Sequence, residues 1–376
     1  MLPAAPKAVL VLKPCCLGDV LIATTVVGQL RQRYPAAKIA FAVGPWSKAA
    51  IEHHPDVDEL VDCGRVGNGG RFGWTDYWAL TRRLKQGGYE IAYVLDRSPL
   101  LTFLPFLAGI PHRVGIDSAG RGFSLTIKVP WNAMKHESEL YLDTLRVSGW
   151  EPQEPRTRFV PSPEDRYWAR QHLPLASSNA RPDRRLVAVL PGGGVNPGMT
   201  MVSKRWFPER FAALIERLLA HGHTVVLVGA PSDIPVNLSV MAALPEPCRP
   251  SKDLIDLTAA TSFGQLGAVI ECCHLFVGND SGPTHLAVAV GTPTVAIFGP
   301  TSPSMYGPGQ GLGKVVYKPV ACSPCFIKGR CARDCQDFRC LQAITVDDVW
   351  LEVEQILGVE QRRVDAVPTS GTPGFP

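Results

Sequence analysis

Between Val277 and Thr301 the chain reads VGNDSGPTHLAVAVGTPTVAIFGPT, and Asn279, Asp280, Ser281 and Gly282 fall where a strand should end and a helix begin. The free N–H groups and positive pole of a helix start favour an anion there, and a phosphate is the natural occupant. Pro283 suits the first helical turn, where its missing N–H costs little, and Gly282 lets a ligand approach the backbone closely. His285 lies one turn further on, at the same end. The residues alone fit an ordinary capped helix equally well, because Asp and Ser are common N-caps.

Two other stretches carry chemistry. In VLKPCCLGDVLIAT a strand ends near Lys13, a tight turn ends at Gly18, and Asp19 opens the next helix either as a cap or as a general base at a cleft mouth. With one glycine, this loop lacks the dinucleotide-binding fingerprint, which argues against a nicotinamide enzyme. In LPGGGVNPGMTMVSKRWFPERFAAL, Gly192, Gly193 and Gly194 follow a strand, and Lys204 and Arg205 bring positive charge towards them. Asp233 follows a further strand in GAPSD, and Thr261 and Ser262 precede a helix. Five cysteines, Cys322, Cys325, Cys331, Cys335 and Cys340, fall within nineteen residues and could supply a structural zinc site, although the later spacings differ from a standard zinc ribbon. No Ser-His-Asp or Cys-His array has a local signature, and His53, His54, His112 and His136 read as surface or capping residues.

These loops need strands and helices to hold them. AVLVLK, KIAFAV and YEIAYVLD alternate with helical runs from Asp19 to Arg33 and near Trp46 to His53, the pattern of a parallel sheet covered by helices. A second series follows: LVAVLP, the helix after Pro208, TVVLVG, a helix after Leu266, LFVGND and TVAIFG. Residues 151–185 turn to Pro, Ser and charge, and the boundary is expected there. The expected division is 1–165, a linker over 166–185, a second domain over 186–345 with the Cys-rich segment 322–340, a helix over 346–361, and a tail over 362–376 without fixed structure. GRVGNGGRFGW, five glycines in eleven residues, reads as a mobile loop. LLTFLPFLAGI, interrupted by Pro105, reads as a buried or interfacial helix, and no run of some 18 apolar residues suggests a membrane span.

At 376 residues the chain suits two domains. Its 45% hydrophobic content, 19% charged content and net charge of +4 describe a soluble, mildly basic protein, too weakly basic to argue nucleic-acid binding. The absence of a secretory leader and the eleven cysteines point to a reducing cytoplasm, with thiols or metal sites favoured over disulfides.

The segments D-S-G-P-x-H-L and A-x-x-x-G-T-P-x-V-A-x-F-G-P-T resemble the C-terminal signature of the ADP-heptose:lipopolysaccharide heptosyltransferase family, glycosyltransferase family 9. K-x-x-x-L-G-D-V-L at Lys13 and S-K-x-W-x-x-x-x-F-A at Ser203 are similar to two more of its motifs. The resemblance implies an α/β GT-B fold, two Rossmann-like domains facing a cleft, with a last helix packed back across both. It implies an inverting transfer of heptose from ADP-heptose to a lipid A-core or other lipid-linked acceptor, with Asp19 and Lys204 catalytic. Donor contacts would come from Gly18, Gly192, Gly193, Ser203, Asp233, Thr261, Asp280, Ser281, Gly282 and His285, with Asp233 near the ribose. Arg113 and Arg121 would meet acidic groups of the acceptor. No cofactor is required, and the protein would touch the inner membrane surface transiently. The chain departs from the family at Cys15 and Cys16, where small hydroxyl residues are common, and at Ala259 and Ala260, where Gly-Lys is more frequent. Two alternatives remain open: another nucleotide-sugar enzyme of the same fold, such as one with a different donor or an epimerase, and a non-catalytic protein organised by zinc.

Overall fold

Short runs of Val, Ile, Leu and Ala become strands buried on both faces, as parallel sheets sheathed in helices require. The first half contains β1 (Ala8–Leu12), β2 (Lys38–Val43), β3 (Glu59–Asp62), β4 (Ile91–Val94), β5 (His112–Asp117) and β6 (Ile127–Pro130). The second contains β7 (Leu186–Leu190), a small hairpin β8 (Val195–Asn196) and β9 (Met199–Thr200), then β10 (Thr224–Gly229), β11 (Leu254–Thr258), β12 (Leu275–Asn279), β13 (Thr294–Phe298) and β14 (Gly313–Tyr317). The computed structural model describes residues 2–67, 72–174, 184–249, 251–309, 311–326, 335 and 337–365, with side chains to residue 358.

Each half has one parallel sheet of the same topology, β3-β2-β1-β4-β5-β6 and β11-β10-β7-β12-β13-β14. The strand order reverses beside β1 and β4 in one sheet and beside β7 and β12 in the other, and the crevice at such a reversal is where open α/β sheets bind ligands. The loops singled out from the sequence leave these strands: Lys13 to Asp19 follows β1, the glycine loop follows β7, and Asp280 to His285 follows β12.

Twelve helices among the described residues cover the sheets: α1 (Leu17–Arg33), α2 (Trp74–Gln86), α3 (Pro99–Leu107), α4 (Glu137–Arg146), α5 (Pro163–His172), α6 (Pro208–Ala220), α7 (Ile234–Ala243), α8 (Phe263–Glu271), α9 (Gly282–Ala289), α10 (Pro303–Tyr306), α11 (Arg339–Gln342) and α12 (Val346–Asp365). Helix α1 is apolar nearly all round because it lies between its own sheet, α4 and α9. Its Val20, Leu21, Val26 and Leu30 join Leu286 and Ala287 of α9 in a single apolar cluster that runs through both halves. The buried hydroxyls of Thr24 and Thr25 donate to the carbonyls of Leu21 and Ile22 at 2.6 and 2.8 Å, so no polar atom is orphaned there.

Several expectations are corrected. The chain changes halves at Arg158–Phe159, before the expected linker: the Arg158 N–H donates to Thr24 Oγ1 on α1 at 2.8 Å, and the Phe159 N–H donates to the Ala289 carbonyl on α9 at 3.0 Å. Much of the supposed linker 166–185 is helix α5, started by a Ser162 cap with Pro163 at the first position and tied to α8 by Arg166–Glu271 at 2.7 Å; residues 175–183 lie outside the described residues. The helix expected from Trp46 to His53 is one 3₁₀ turn, Lys48–Ala50. Over its described side chains the last helix stays on the second half rather than lying across both. Its Val349, Trp350, Val353 and Leu357 pack into the core of the second half, with Val187, Trp206 and Phe211. Within GRVGNGGRFGW, Val66 and Gly67 are buried, and residues 68–71 lie outside the described set, as do residues 366–376 of the expected tail. Cys15 and Cys16 are joined by a disulfide, so the preference for thiols fails at this pair.

His54 is buried rather than superficial: Nδ1 accepts from the Asp56 N–H at 3.3 Å, and Nε2 has no partner. Burial and the nearby Arg158 charge push its pKa down to about 4. The unfolded chain, with a pKa near 6.5, therefore binds more protons between the two values, and stability falls as pH drops through that window. We expect a loss of about 3 kcal/mol at pH 4 relative to pH 7.5 from this residue. Urea titrations at several pH values should show the His54→Gln variant losing correspondingly less.

Ala259 sits at φ +58°, the left-handed region in which a Cβ is strained. This gives a physical reason for the glycine more frequent in the resembled family. Ala259→Gly should raise stability by about 1 kcal/mol, read as a higher urea midpoint at unchanged slope.

Candidate active site

On the first half, Lys13 leaves β1 buried beneath the cleft. Its ammonium lies 3.6 Å from Asp19 Oδ2 and 3.4 Å from Asp96 Oδ2. Asp19 is the third residue of α1 and accepts from the Cys16 N–H at 3.3 Å, which satisfies one free donor of the helix start while leaving the carboxylate a third exposed. Asp96 follows β4 and is oriented by the Ser98 N–H at 2.8 Å. Burial opposes the charge on Lys13, but the carboxylates of Asp19, Asp96 and Glu137 outweigh it and raise its pKa. Glu137, at the start of α4, is 2% exposed and lies 3.5 Å from Arg97. Burial outweighs the pull of Arg97 and lifts its pKa.

On the second half, Asn279 organises the surrounding loops from the end of β12. Fully buried, it donates to the carbonyls of Pro191 and Gly192 at 2.7 and 3.1 Å and accepts from the Trp206 N–H at 3.0 Å. This fixes the glycine loop against the segment carrying Lys204. The Lys204 ammonium donates to Asp280 Oδ2 at 2.7 Å, and Thr301 Oγ1 donates to the same oxygen at 2.5 Å. Burial works against the Asp280 charge, and Lys204, Thr301 and His285 overcome it, so its pKa is lowered. Gly193, at φ +90°, adopts a conformation that side chains avoid, and a Cβ there would stand 2.7 Å from Cβ of Ser281. Ser281 caps α9 and donates its hydroxyl to the Asn279 carbonyl at 3.1 Å.

The halves meet where α1 and α9 begin. A Cβ on Gly18 would lie 2.7 Å from the His285 ring and 3.6 Å from Cα of Gly282, so only glycine fits that approach. Burial pushes the pKa of His285 down against the partial compensation of Asp280 and Asp19, which leaves the imidazole neutral at pH 7. His136 on the first half caps α4 through the Ser138 N–H and bridges to the Gly307 carbonyl at 2.8 Å. Between these elements lies a cavity of about 140 Å³, lined in part by Thr25, His136, His285 and Gly307. A second, of about 300 Å³, opens on the first half among Cys15, Val66, Phe72, Asp96 and Leu100.

Gly18, Asp19, Gly193, Lys204, Asp280, Ser281, Gly282 and His285 thus converge, with Gly192 and Ser203 in the same loops. Thr261 stands at the carboxyl end of β11, beside the Ser262 cap of α8. Three assignments change. Asp233 is 3% exposed, and its carboxylate accepts from the N–H groups of Gly193 and Ala230 and pairs with Arg205, so it braces the glycine turn instead of facing a ribose. Arg113 begins β5, the end of the sheet away from the cleft, with its guanidinium donating to the carbonyls of Ile110, Pro111 and Ser124. Arg121 is exposed beside α3, where its carbonyl accepts from Thr102. Sequence reasoning missed Lys13, Asp96 and Arg97 as site residues, although Lys13 directly follows β1 and the other two lie in the loop after β4, where the strand order reverses.

Cys340 is buried, and burial pushes its thiol up to about 11, whereas Cys322 is exposed. Cys331 lies outside the described residues, and among the described residues no group of three or more His, Cys, Asp or Glu side chains is placed to hold a metal ion.

The family model of glycosyltransferase family 9 (heptosyltransferase) matches residues 77–335, more than half of the chain. The chain belongs to glycosyltransferase family 9. It is 29% identical over 322 residues to lipopolysaccharide heptosyltransferase 2 of Escherichia coli K12, covering 82% of this chain and 87% of the relative. The solved structure of the E. coli ADP-heptose lipopolysaccharide heptosyltransferase II superposes with a TM-score of 0.72 at 24% identity, covering 94% of this chain and 99% of that one. A family 9 glycosyl transferase from Veillonella parvula gives 0.77 at 22% identity, covering 95% and 98%. The family 9 chain is therefore a glycosyltransferase of GT-B type, and its cleft is the place to seek transfer chemistry.

For this family 9 enzyme, removing the buried ammonium in Lys13→Met takes the shared counter-charge from Asp19 and Asp96. The unfolding free energy from urea titration at pH 7.5 should fall by roughly 3 kcal/mol, with Lys13→Arg losing less.

Proposed function

We propose that this enzyme is an inverting transferase that moves heptose from ADP-heptose to a lipopolysaccharide inner-core acceptor. The observation that carries the reading is the contact of Gly18 with His285, which sets the Asp19 helix against α9 and the Lys204–Asp280 pair across one cleft. The activity named for the E. coli relative supports the choice of donor and acceptor.

The donor diphosphate would lie over the first N–H groups of α9 and the glycine loop, sharing the Lys204 ammonium with Asp280. As the anomeric bond lengthens, negative charge grows on the diphosphate, and these fixed donors stabilise it more than they stabilise the ground state. No metal or general acid is required by this scheme. The acceptor hydroxyl approaches from the opposite face, from the pocket beside Cys15 and Asp96. Asp19 removes its proton as the new glycosidic bond forms, and a single displacement inverts the centre. Neutral His285 can donate one N–H hydrogen bond to the donor without adding charge. A lipid-linked acceptor brings the enzyme to the cytoplasmic face of the inner membrane; no helix among the described residues is long and apolar enough to cross it.

Thermal unfolding with ADP, UDP, GDP and CMP tests the donor. ADP at about 100 times its dissociation constant should add about 2.7 kcal/mol, and the other nucleotides much less. Asp19→Ala should keep that shift while losing transfer by at least roughly 10³-fold, and Lys204→Ala should lose most of the shift. Near-normal transfer by Asp19→Ala, or a shift with UDP in place of ADP, would overturn the assignment concerned.

A further inference from the structure

Helix α3 has its polarity inside out. In PLLTFLPFL the one polar side chain, Thr102, is fully buried, with its hydroxyl on the carbonyls of Pro99 and Arg121 at 3.0 and 2.9 Å. Apolar residues face outward instead: Leu100 is 42% and Phe106 50% exposed, joined by Phe123 at 60%. The Phe103 ring connects them, 5.3 Å from Phe106 and 5.4 Å from Phe123. A helix solvated on that side would carry polar residues there.

This face continues into the cleft. Leu100 also lines the 300 Å³ pocket beside Cys15 and Asp96, and its carbonyl accepts from the Tyr77 hydroxyl at 2.8 Å. Trp74, three-quarters exposed, meets the Tyr77 ring edge-on at 6.1 Å. At the far end the Arg113 guanidinium lies over Phe106, 5.4 Å from its centroid. From residue 99 to 128 the sequence holds Arg113, Arg121 and Lys128 against one acid, Asp117, which is engaged by the Gly122 N–H at 2.9 Å and approached by Lys128 at 3.9 Å. An aromatic surface rimmed with cations is the composition that settles at an anionic bilayer interface. Nine residues give a helix of about 14 Å, long enough to lie in that interface and too short to cross it.

We propose that the outer face of α3, with Phe123 and the rim of Arg121 and Lys128, docks on an anionic membrane surface and aligns the acceptor pocket with lipid-linked substrate. This rests on the reading of the acceptor as lipid-linked. Arg121, which sequence reasoning assigned to the acceptor sugar, acts in this arrangement on lipid headgroups, while Arg113, tied to three backbone carbonyls, stacks over Phe106.

Co-sedimentation of the full-length protein with phosphatidylethanolamine–phosphatidylglycerol vesicles, and with pure phosphatidylcholine vesicles, tests it. The wild type should bind the anionic vesicles, and the Phe106→Ser/Phe123→Ser variant should bind at least roughly tenfold more weakly. Arg121→Glu/Lys128→Glu should weaken binding to anionic vesicles alone. Both variants should keep the wild-type thermal shift with ADP and transfer to a delipidated acceptor. Those two readouts report on the donor and the chemistry, so their failure is separable from failure of docking. Wild-type protein left in the supernatant with both vesicle types, or full binding by the phenylalanine variant, would overturn the proposal. So would a wild-type dimer in sedimentation velocity that the phenylalanine variant turns into monomer without any vesicle binding, which would make this face a contact between copies.

Discussion

Two helices pack side by side at the centre of this molecule with their N-termini adjacent, α1 at Gly18 and α9 at Gly282. Their positive poles repel, and the free N–H groups of both first turns need acceptors. Asp19 and Asp280 offset part of this, one at each pole. The remaining positive field, reinforced by Lys204, makes the gap between the halves favourable to an anion. The close approach that creates the field depends on residues without side chains, since a Cβ at Gly18 would strike His285.

The buried polar groups around this gap serve the same arrangement. Asn279 binds the glycine loop to the segment before α6, and Asp233 holds that loop from the other side through two N–H groups and Arg205. Lys13 supports Asp19 and Asp96 from below in the same way that Lys204 and Thr301 support Asp280. Each half therefore carries a lysine–aspartate pair at its strand ends, one on each side of the cleft.

Much of this was legible in the sequence because strand ends and helix starts leave strong local marks. The runs AVLVL and LVAVL, the glycine loop and the D-S-G-P turn marked loops that the structure sets beside both strand-order reversals, with most of the converging residues. What was not legible depended on distance along the chain. Asp233 looks the same in sequence whether its carboxylate faces solvent or a backbone N–H forty residues away. Arg113 looked suited to an acidic substrate, but β5 runs parallel to β4 and its first residues point away from the cleft. Pro- and Ser-rich composition suggested a linker where Ser162 and Pro163 start a helix. The last helix showed its apolar stripe plainly, but a stripe does not say which half it covers.

Among the described residues the chain passes between halves once, with Arg158 bonded to the first half and Phe159 to the second, and α12 stays where it began. Neither sheet borrows a strand from the other. The molecule is thus modular along its sequence: on the proposed reading, one junction at this peptide separates the part that would meet the acceptor from the part that would hold the nucleotide. Recombination at that point could give a new acceptor specificity to an existing donor module, provided that the small residues facing each other across α1 and α9 were retained.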